Sequence, residues 1–561
     1  MKREAGVRAL TFVILLTVVQ GCTEKEQEGR AFLGEGPARG GTFRVAQLTP
    51  ETLDPMFIDD VYESFVVNQI FEGLLTFDVN LMPVPAIARD WTLSPDRLTY
   101  TFTLRRGVTF HNGREVTAED VVYSFTRIFD PGLQVPSIAR QYLDVIKGTH
   151  EYALGKTNEI TGLKALETHT LEITLSTPSV HLLTVLAMDN TKVVPKEEVE
   201  KKGIEWFDEH PVGTGPFKFA SWQKNERIIL VAYEGYFGKR PYLDSLIVHV
   251  PFEYDENEWG KAFLEGRIET VAVPVGQLET FTGRKMYTIV KRPELSCECI
   301  GFNVHLPPLT DVRVRQAISH ALDRKRLVEL DPESFVLSSG ILPPGMPGYS
   351  PAEKVPPYDP EKAKELLREA GVPEGRRLGR LEYWGVGTYG ASPYENDTIV
   401  KEDLAEVGID VEVKYESWLE FDGRVCDGRA QMFSMSFIAD IPDPASFLFS
   451  LFHSTSSANF FHYHSAAIDS ALERAKEEQN YFERLRICRD AEKRILEDAP
   501  LVPLDHVVNI VAFQPYVRGI ELSPYGIADM AMEKIWITTE PTSPTAGSQD
   551  RHGLIQCLES G

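Results

Sequence analysis

Residues Met1–Cys22 constrain this chain before any of it folds. Lys2, Arg3 and Arg8 come first, an uncharged and mostly apolar run of 11 residues, Ala9–Val19, follows, and Gln20-Gly21-Cys22 ends it. Basic, then apolar, then small is the anatomy of a secretory signal. The run is too short for a bilayer-spanning helix, which takes about 20 apolar residues. Residues 1–21 are therefore expected to be a signal peptide, and the remainder to fold outside the cytoplasm.

Val19-Gln20-Gly21-Cys22 resembles a bacterial lipobox, in which the Cys is acylated and becomes the new N-terminus. Each buried lipid CH₂ contributes about 0.8 kcal/mol, so several acyl chains hold a protein at a membrane. The alternative is an ordinary signal in which Cys22 is incidental. Residues 22–41 carry Glu24, Lys25, Glu26 and Glu28, then Gly34, Gly36, Gly40 and Gly41; they read as a lipidated flexible linker. Residues 538–561, rich in Pro, Ser, Thr and Gly, read as a disordered tail. No second run of 18 or more apolar residues occurs, so no further membrane-spanning helix is expected.

The residues from Cys22 onward exceed one ordinary domain, and two or three lobes are expected. An apolar content of 43% supplies large cores. Net charge is −25, and loss of Lys2, Arg3, Glu4 and Arg8, together +2, takes it to −27. Such a chain repels nucleic acid, so no nucleic-acid partner is expected. Beyond Cys22 stand Cys297, Cys299, Cys426, Cys488 and Cys557. Five thiols cannot all pair within one chain; a bridge from Cys297 or Cys299 to Cys426 and buried free thiols both stay open.

Periodicity alternates between strand and helix. Gly41–Ala46 reads as a first strand, and Val67, Ile70, Phe71 and Leu74 as the buried stripe of a helix near Ser64–Leu74. Leu98–Arg105 alternates Tyr100, Phe102 and Leu104 against three threonines, the pattern of a half-buried strand. Val108–Phe110 returns as its partner, and Thr117 opens a helix with an acidic first turn. Glu167–Leu175, Phe217–Trp222, Ile228–Ala232 and Leu246–Pro251 read as strands. Later helices start at Asp311 and at Asp359-Pro360, the latter stopped by Gly371. Leu381–Trp384, Ile409–Tyr415 and Pro500–Leu504 read as strands; Ile399–Val407, Ile468–Lys476 and Phe482–Asp498 as helices.

Chemistry-bearing motifs are missing. There is no Gly-x-Ser-x-Gly elbow, no P-loop and no His-Glu-x-x-His. Gly213-Thr214-Gly215 lacks the third glycine of a dinucleotide site. His453, His462 and His464 cluster without a carboxylate or Cys at ligand spacing. No enzyme activity, cofactor or metal is expected.

Several stretches together resemble the bacterial extracellular solute-binding proteins of family 5, the oligopeptide, dipeptide and nickel type that feed ABC importers. They are Thr52–Pro55 with Phe71–Leu74, Leu98–Arg127, Gly213–Phe217, Phe302-Asn303, Asp311–Ala317 with Ala321–Arg324, Tyr358–Ala363, Asp440 with Asp443-Pro444, and Pro500–Leu504. The resemblance implies a mixed α/β, two-lobed periplasmic-binding-protein-like fold with an inserted subdomain in the first lobe and hinge crossover strands. In this chain that places lobe I at 42–72, 193–296 and 505–537, its insert at 73–192, and lobe II at 297–504, with crossings near Cys297–Phe302 and Leu501–His506. It implies a peptide or similar small solute held between lobes that close by hinge bending, ABC permease subunits as partners, and a monomer. Asp440 stands where the family pairs a carboxylate with the ligand's α-ammonium, and Phe437 matches an aromatic of the binding wall. Asp59, Val61 and Tyr62 match a loop along the ligand backbone. Trp418, Trp384 and Asn303 complete the expected ligand-binding set. Where long-peptide binders place an Arg near the ligand carboxylate, this chain has Met432-Phe433-Ser434-Met435-Ser436, which points away from a free peptide C-terminus. The alternatives are a sensor or adhesin lobe, or an extracytoplasmic hydrolase.

Replacing Cys22 by Ser is expected to move the protein from the membrane to the soluble fraction of the cell envelope. Fractionation checks this, and a variant that stays membrane-bound would contradict acylation.

Overall fold

The computed structural model describes residues 37–133, 137–251, 256–283, 286–352, 354–372, 378–387 and 394–538. The signal peptide, Cys22, most of the linker, Cys557 and the tail beyond Thr538 lie outside the described residues. No described helix is long and apolar enough to cross a membrane.

Strand Thr42–Ala46 pairs in parallel with Ser245–His249, which continues antiparallel to Arg227–Ala232 and Phe217–Gln223. Phe43, Val45, Phe217, Leu230, Leu246 and Val248 bury one face against Phe65, Val66 and Ile70 of helix Val61–Ile70. That helix starts three residues earlier than its apolar stripe predicts, because Asp60 caps it: its Oδ1 accepts the Tyr62 and Glu63 N–H groups, each at 2.8 Å. The helix end explains the Gly-Thr-Gly motif. Gly215 N–H donates to the Ile70 carbonyl at 2.8 Å, and a Cβ on Gly213 would stand 2.0 Å from that oxygen. The two glycines let backbone lie on backbone.

A separate four-stranded antiparallel sheet, ordered Ala88–Leu93, Thr99–Leu104, Thr170–Thr174, Leu163–Glu167, forms the inserted subdomain with helix Ala118–Ile128. Tyr100, Phe102 and Leu104 are buried and the threonines half-buried, as the alternation requires. Val108–Phe110 forms only a bridge, Thr109 to Glu115, rather than a strand. The single strand expected over Glu167–Leu175 is in fact the second of a hairpin. Its turn is held where Leu104 N–H donates to the His169 carbonyl and Ala118 N–H to that of Thr168, both at 2.8 Å.

An eight-stranded sheet runs through the second lobe and on into the first. Its path runs Thr270–Ala272, Leu501–Phe513, Ser296–Phe302, Met432–Ile438, Arg380–Val386, Asp410–Glu416, and Thr288–Pro293 and Phe335–Leu337 also pair with Leu501–Phe513. One face carries helices Val312–Ala321, Pro360–Glu369 and Glu395–Glu406. The other carries Trp418–Cys426, Pro444–Phe452, Ala466–Glu477 and Tyr481–Asp498. The expected strand Pro500–Leu504 is only the first part of a 13-residue strand. Its start pairs with Glu298–Gly301, whereas Val508–Phe513 pairs with Thr288–Pro293. The one strand thus passes from the second lobe into the first.

Cys297, Cys299, Cys426 and Cys488 are free thiols. Cys297 and Cys299 are locked in the core of their strand, while Cys426 is exposed at the end of its helix, so the bridge held open above does not form.

Asp505 lies on the crossing strand opposite Glu298, with its Oδ1 buried and unpartnered among the described residues. Burial, with the Glu298 charge adding to it, pushes its carboxyl up to about 8; burial pushes Glu298 up to about 7. A carboxyl raised by folding binds its proton more tightly in the native state, so the stability it confers is present at low pH and is lost as pH rises through about 8. The melting midpoint is expected to be higher at pH 6 than at pH 9, and Asp505→Asn to narrow that gap by a few degrees, since 1 kcal/mol moves such a midpoint by roughly 2–4 °C. Thermal melts at both pH values check it; an unchanged gap in the variant would contradict it.

Candidate ligand-binding cleft

A cavity of about 420 Å³ lies between the lobes. The second lobe supplies Ser436, Ile438, Ala439 and Asp440 from the end of strand Met432–Ile438, and Trp418 from the start of its helix. The opposite wall holds Asp59, Asp60, Val61 and Ser64 at the capped helix start, Ile138 and Met188–Asn190 from the insert, and Tyr525, Ala528 and Asp529 from the returning chain. Glu63 ties the first of these walls together, accepting the N–H groups of Glu51, Thr52 and Asp59, each at 3.0 Å.

Asp440 is exposed to the cavity, which is itself partly open to solvent, yet protein surrounds the carboxyl closely enough to desolvate it in part. Burial raises its carboxyl above the ordinary range, and a hydrogen bond from Tyr142 Oη, 2.6 Å from Oδ2, opposes that. Tyr142 belongs to the insert, so this bond crosses the cleft. A second crossing lies three residues on. Asp443 accepts from Arg484 at 2.6 Å and lies 3.3 Å from His181 of the insert. It also caps helix Pro444–Phe452 through the Ser446 N–H. Burial alone would raise the Asp443 carboxyl, but His181, Arg484 and that amide hold it well below the carboxylate range.

The cavity is acidic. Asp59, Asp60, Asp189, Asp440 and Asp529 line it, and among the described residues no Lys, Arg or His does. Burial, then the neighbouring Asp189 charge, pushes Asp529 up to about 7. Lys192 lies buried behind the wall, 3.9 Å from Asp189. Tyr525 sits within electrostatic reach of Asp440, Asp529 and Asp189, and its phenol is raised by burial and by those charges. Its hydroxyl is shut off from solvent without a hydrogen-bond partner among the described residues, a state that costs about 1–3 kcal/mol. The arrangement suits a cation.

Of the residues singled out from sequence, Asp440, Asp59, Val61 and Trp418 meet at this cavity. Phe437, Tyr62, Trp384 and Asn303 do not line it. Phe437 faces the core on the opposite side of its strand from Ser436 and Ile438, and stacks on Phe460. Tyr62 gives its carbonyl to Gln47 Nε2 at 2.7 Å. Trp384 is 7% exposed, covered by the Arg424 guanidinium at 3.7 Å, with its Nε1 donating to Glu382. Asn303 is buried, donating to the Gly428 carbonyl and accepting from His305 N–H. The strand's period of two carries the missing signal: counting back from Asp440 selects Ile438 and Ser436 and rejects Phe437. Nothing local in the sequence marks Asp189, Tyr525 or Asp529.

Asp59, Asp60 and Glu63 bring carboxylate oxygens within 4.8 Å of one another, but Asp60 and Glu63 already spend theirs on backbone N–H groups. The three clustered histidines do not converge: His453 stacks on Phe449, His462 reaches the Val425 carbonyl and His464 that of His462.

Residues 82–459 match the family model described as bacterial extracellular solute-binding proteins, family 5, and the chain belongs to that family. It is a binding protein, not an enzyme. The chain is 30% identical over 480 residues to heme-binding protein A of Haemophilus influenzae, covering 82% of this chain and 85% of that protein. It is 28% identical over 501 residues to the dipeptide-binding protein of Escherichia coli, covering 85% and 91%. Among solved structures, an ABC transporter-associated periplasmic binding protein of Helicobacter pylori, in complex with peptide STSA, superimposes with a TM-score of 0.77 at 26% identity, covering 89% of this chain and 99% of that one.

Asp443→Ala would leave Arg484 buried without its carboxylate and the helix uncapped. Losing one side of a buried pair is expected to cost about 3–5 kcal/mol. Urea unfolding measures it, and a loss below about 1 kcal/mol, the worth of a surface pair, would contradict the buried crossing.

Proposed function

We propose that this protein, acylated at Cys22 and held outside the cytoplasm, captures a peptide between its lobes as a monomer and hands it to the permease of an ABC importer. The closing bodies are taken as residues 42–72, 193–296 and 505–537 with the insert 73–192, against 297–504. The observation that carries the reading is Asp440. It projects just past the end of strand Met432–Ile438 into the cavity between the lobes, where a carboxylate is a strong partner for an ammonium group. Relatives named for dipeptide and oligopeptide binding support the peptide, and the ABC-associated neighbour solved with a peptide supports the importer. Haem, which carries two propionates, fits poorly in a cavity lined, among the described residues, by five carboxylates and no basic side chain.

The test is Asp440→Ala. Removing one side of a desolvated charge pair is expected to weaken peptide binding by about 2–5 kcal/mol, read by calorimetry. Unchanged affinity would remove Asp440 from the site and this reading with it.

A further inference from the structure

The cavity at Asp440 has a neighbour. A second chamber of about 400 Å³ is lined by Val386, Tyr394, Tyr415, Trp418, Phe421 and Met435, with Ser434 and Ser436. Trp418 and Ser436 line both chambers, so the two meet at that pair. Their chemistry differs. The first chamber holds five carboxylates and the unpartnered, buried Tyr525 hydroxyl. The second is walled mainly by aromatic and aliphatic side chains, with Asn396 and the two serines among them, and Trp418 is 59% and Tyr394 51% exposed. Its one carboxylate, Asp397, is buried and takes a hydrogen bond from Tyr415.

Among the described residues, neither chamber is lined by a Lys, Arg or His. Two basic groups on elements that line the second chamber are already committed. Arg424 is bound to Glu416 at 2.8 Å and lies flat on Trp384. Lys414 is paired with Glu382 at 2.5 Å. A carboxylate entering either chamber would lose part of its water and gain no cation from the described lining residues. Ammonium groups meet the reverse situation. They find carboxylates on several sides of the cavity, and those carboxylates repel one another until a cation arrives.

We propose that the ligand is an extended amphipathic cation: a peptide with basic N-terminal residues in the acidic chamber, an apolar or aromatic residue past the Trp418–Ser436 neck, and no free carboxylate at that end. This rests on the reading that the cleft takes a peptide anchored at Asp440, and it adds the charge, the amphipathic order and the masked C-terminus.

Calorimetry on the full chain in detergent, with four defined probes, tests it: Lys-Lys-Phe-amide, the same tripeptide as free acid, Lys-Lys-Gly-amide, and Ala-Ala-Phe free acid. Lys-Lys-Phe-amide is expected to bind tightest. The free acid and the Gly-amide should each be weaker by about tenfold or more, a step of 1.4 kcal/mol, and Ala-Ala-Phe by about a hundredfold. The double variant Asp189→Asn, Asp529→Asn should shrink the preference for Lys over Ala, and Trp418→Ala the preference for Phe over Gly. If Ala-Ala-Phe acid binds as tightly as Lys-Lys-Phe-amide while Asp440→Ala abolishes both, the cleft reading stands and this proposal is overturned. If amide and acid bind equally, the masked C-terminus is overturned. If none of the four binds, both this proposal and the peptide reading fall.

Discussion

Backbone hydrogen bonds along one strand tie this molecule into a single machine. Leu501–Phe513 pairs with Ser296–Phe302 in the second lobe, and then, without a break, with Thr288–Pro293 and Thr270–Ala272 on the side of the first. Strand bonds are not exchanged cheaply in a buried sheet, so the place where the strand changes partners is where bending would disturb the fewest of them. That change falls at Asp505–Val508, where the pairing with Ser296–Phe302 has already shifted register. The same short segment holds Asp505 and His506, both buried and each with one polar atom unpartnered among the described residues. A well-packed sheet concentrates imperfect satisfaction where it must yield.

The cleft depends on this constraint. The stretch just past strand Met432–Ile438 lies against the insert at Tyr142 and His181. Those two crossings frame the cavity, and both are made to aspartates of a single stretch, Asp440-Ile441-Pro442-Asp443. Their settings differ. Asp443 has an Arg, a His and an amide, and is a fastening. Asp440 has one phenol and open space, and is a receptor for charge. Burial acts on both in the same sense; only the partners decide which carboxylate is spent on structure and which is left for a ligand.

Much of the fold is legible in sequence because alternation and capping are local. Tyr100, Phe102 and Leu104 mark their strand, and Asp311 and Asp359-Pro360 mark their helices to the residue. What failed was non-local. The turn within Glu167–Leu175 is held by Leu104 and Ala118, far away in sequence, and the length of Leu501–Phe513 is set by partners on both lobes. The cleft follows the same division. Asp440, Asp59, Val61 and Trp418 were reachable from motifs, whereas Asp189, Tyr525 and Asp529 sit in unremarkable stretches and matter only because the chain folds back on itself. Phe437, Trp384 and Asn303 show the limit of motif reasoning: each is a notable residue near the site in sequence, and each is spent on packing or backbone bonds.

The central claim is that the cleft carries a peptide. Native mass spectrometry of the protein as purified from its own envelope tests it most directly. The account predicts a bound mass that is released on mild unfolding and fragments as a mixture of short basic peptides. A bound mass that is not a peptide, or peptides that are acidic, would contradict it.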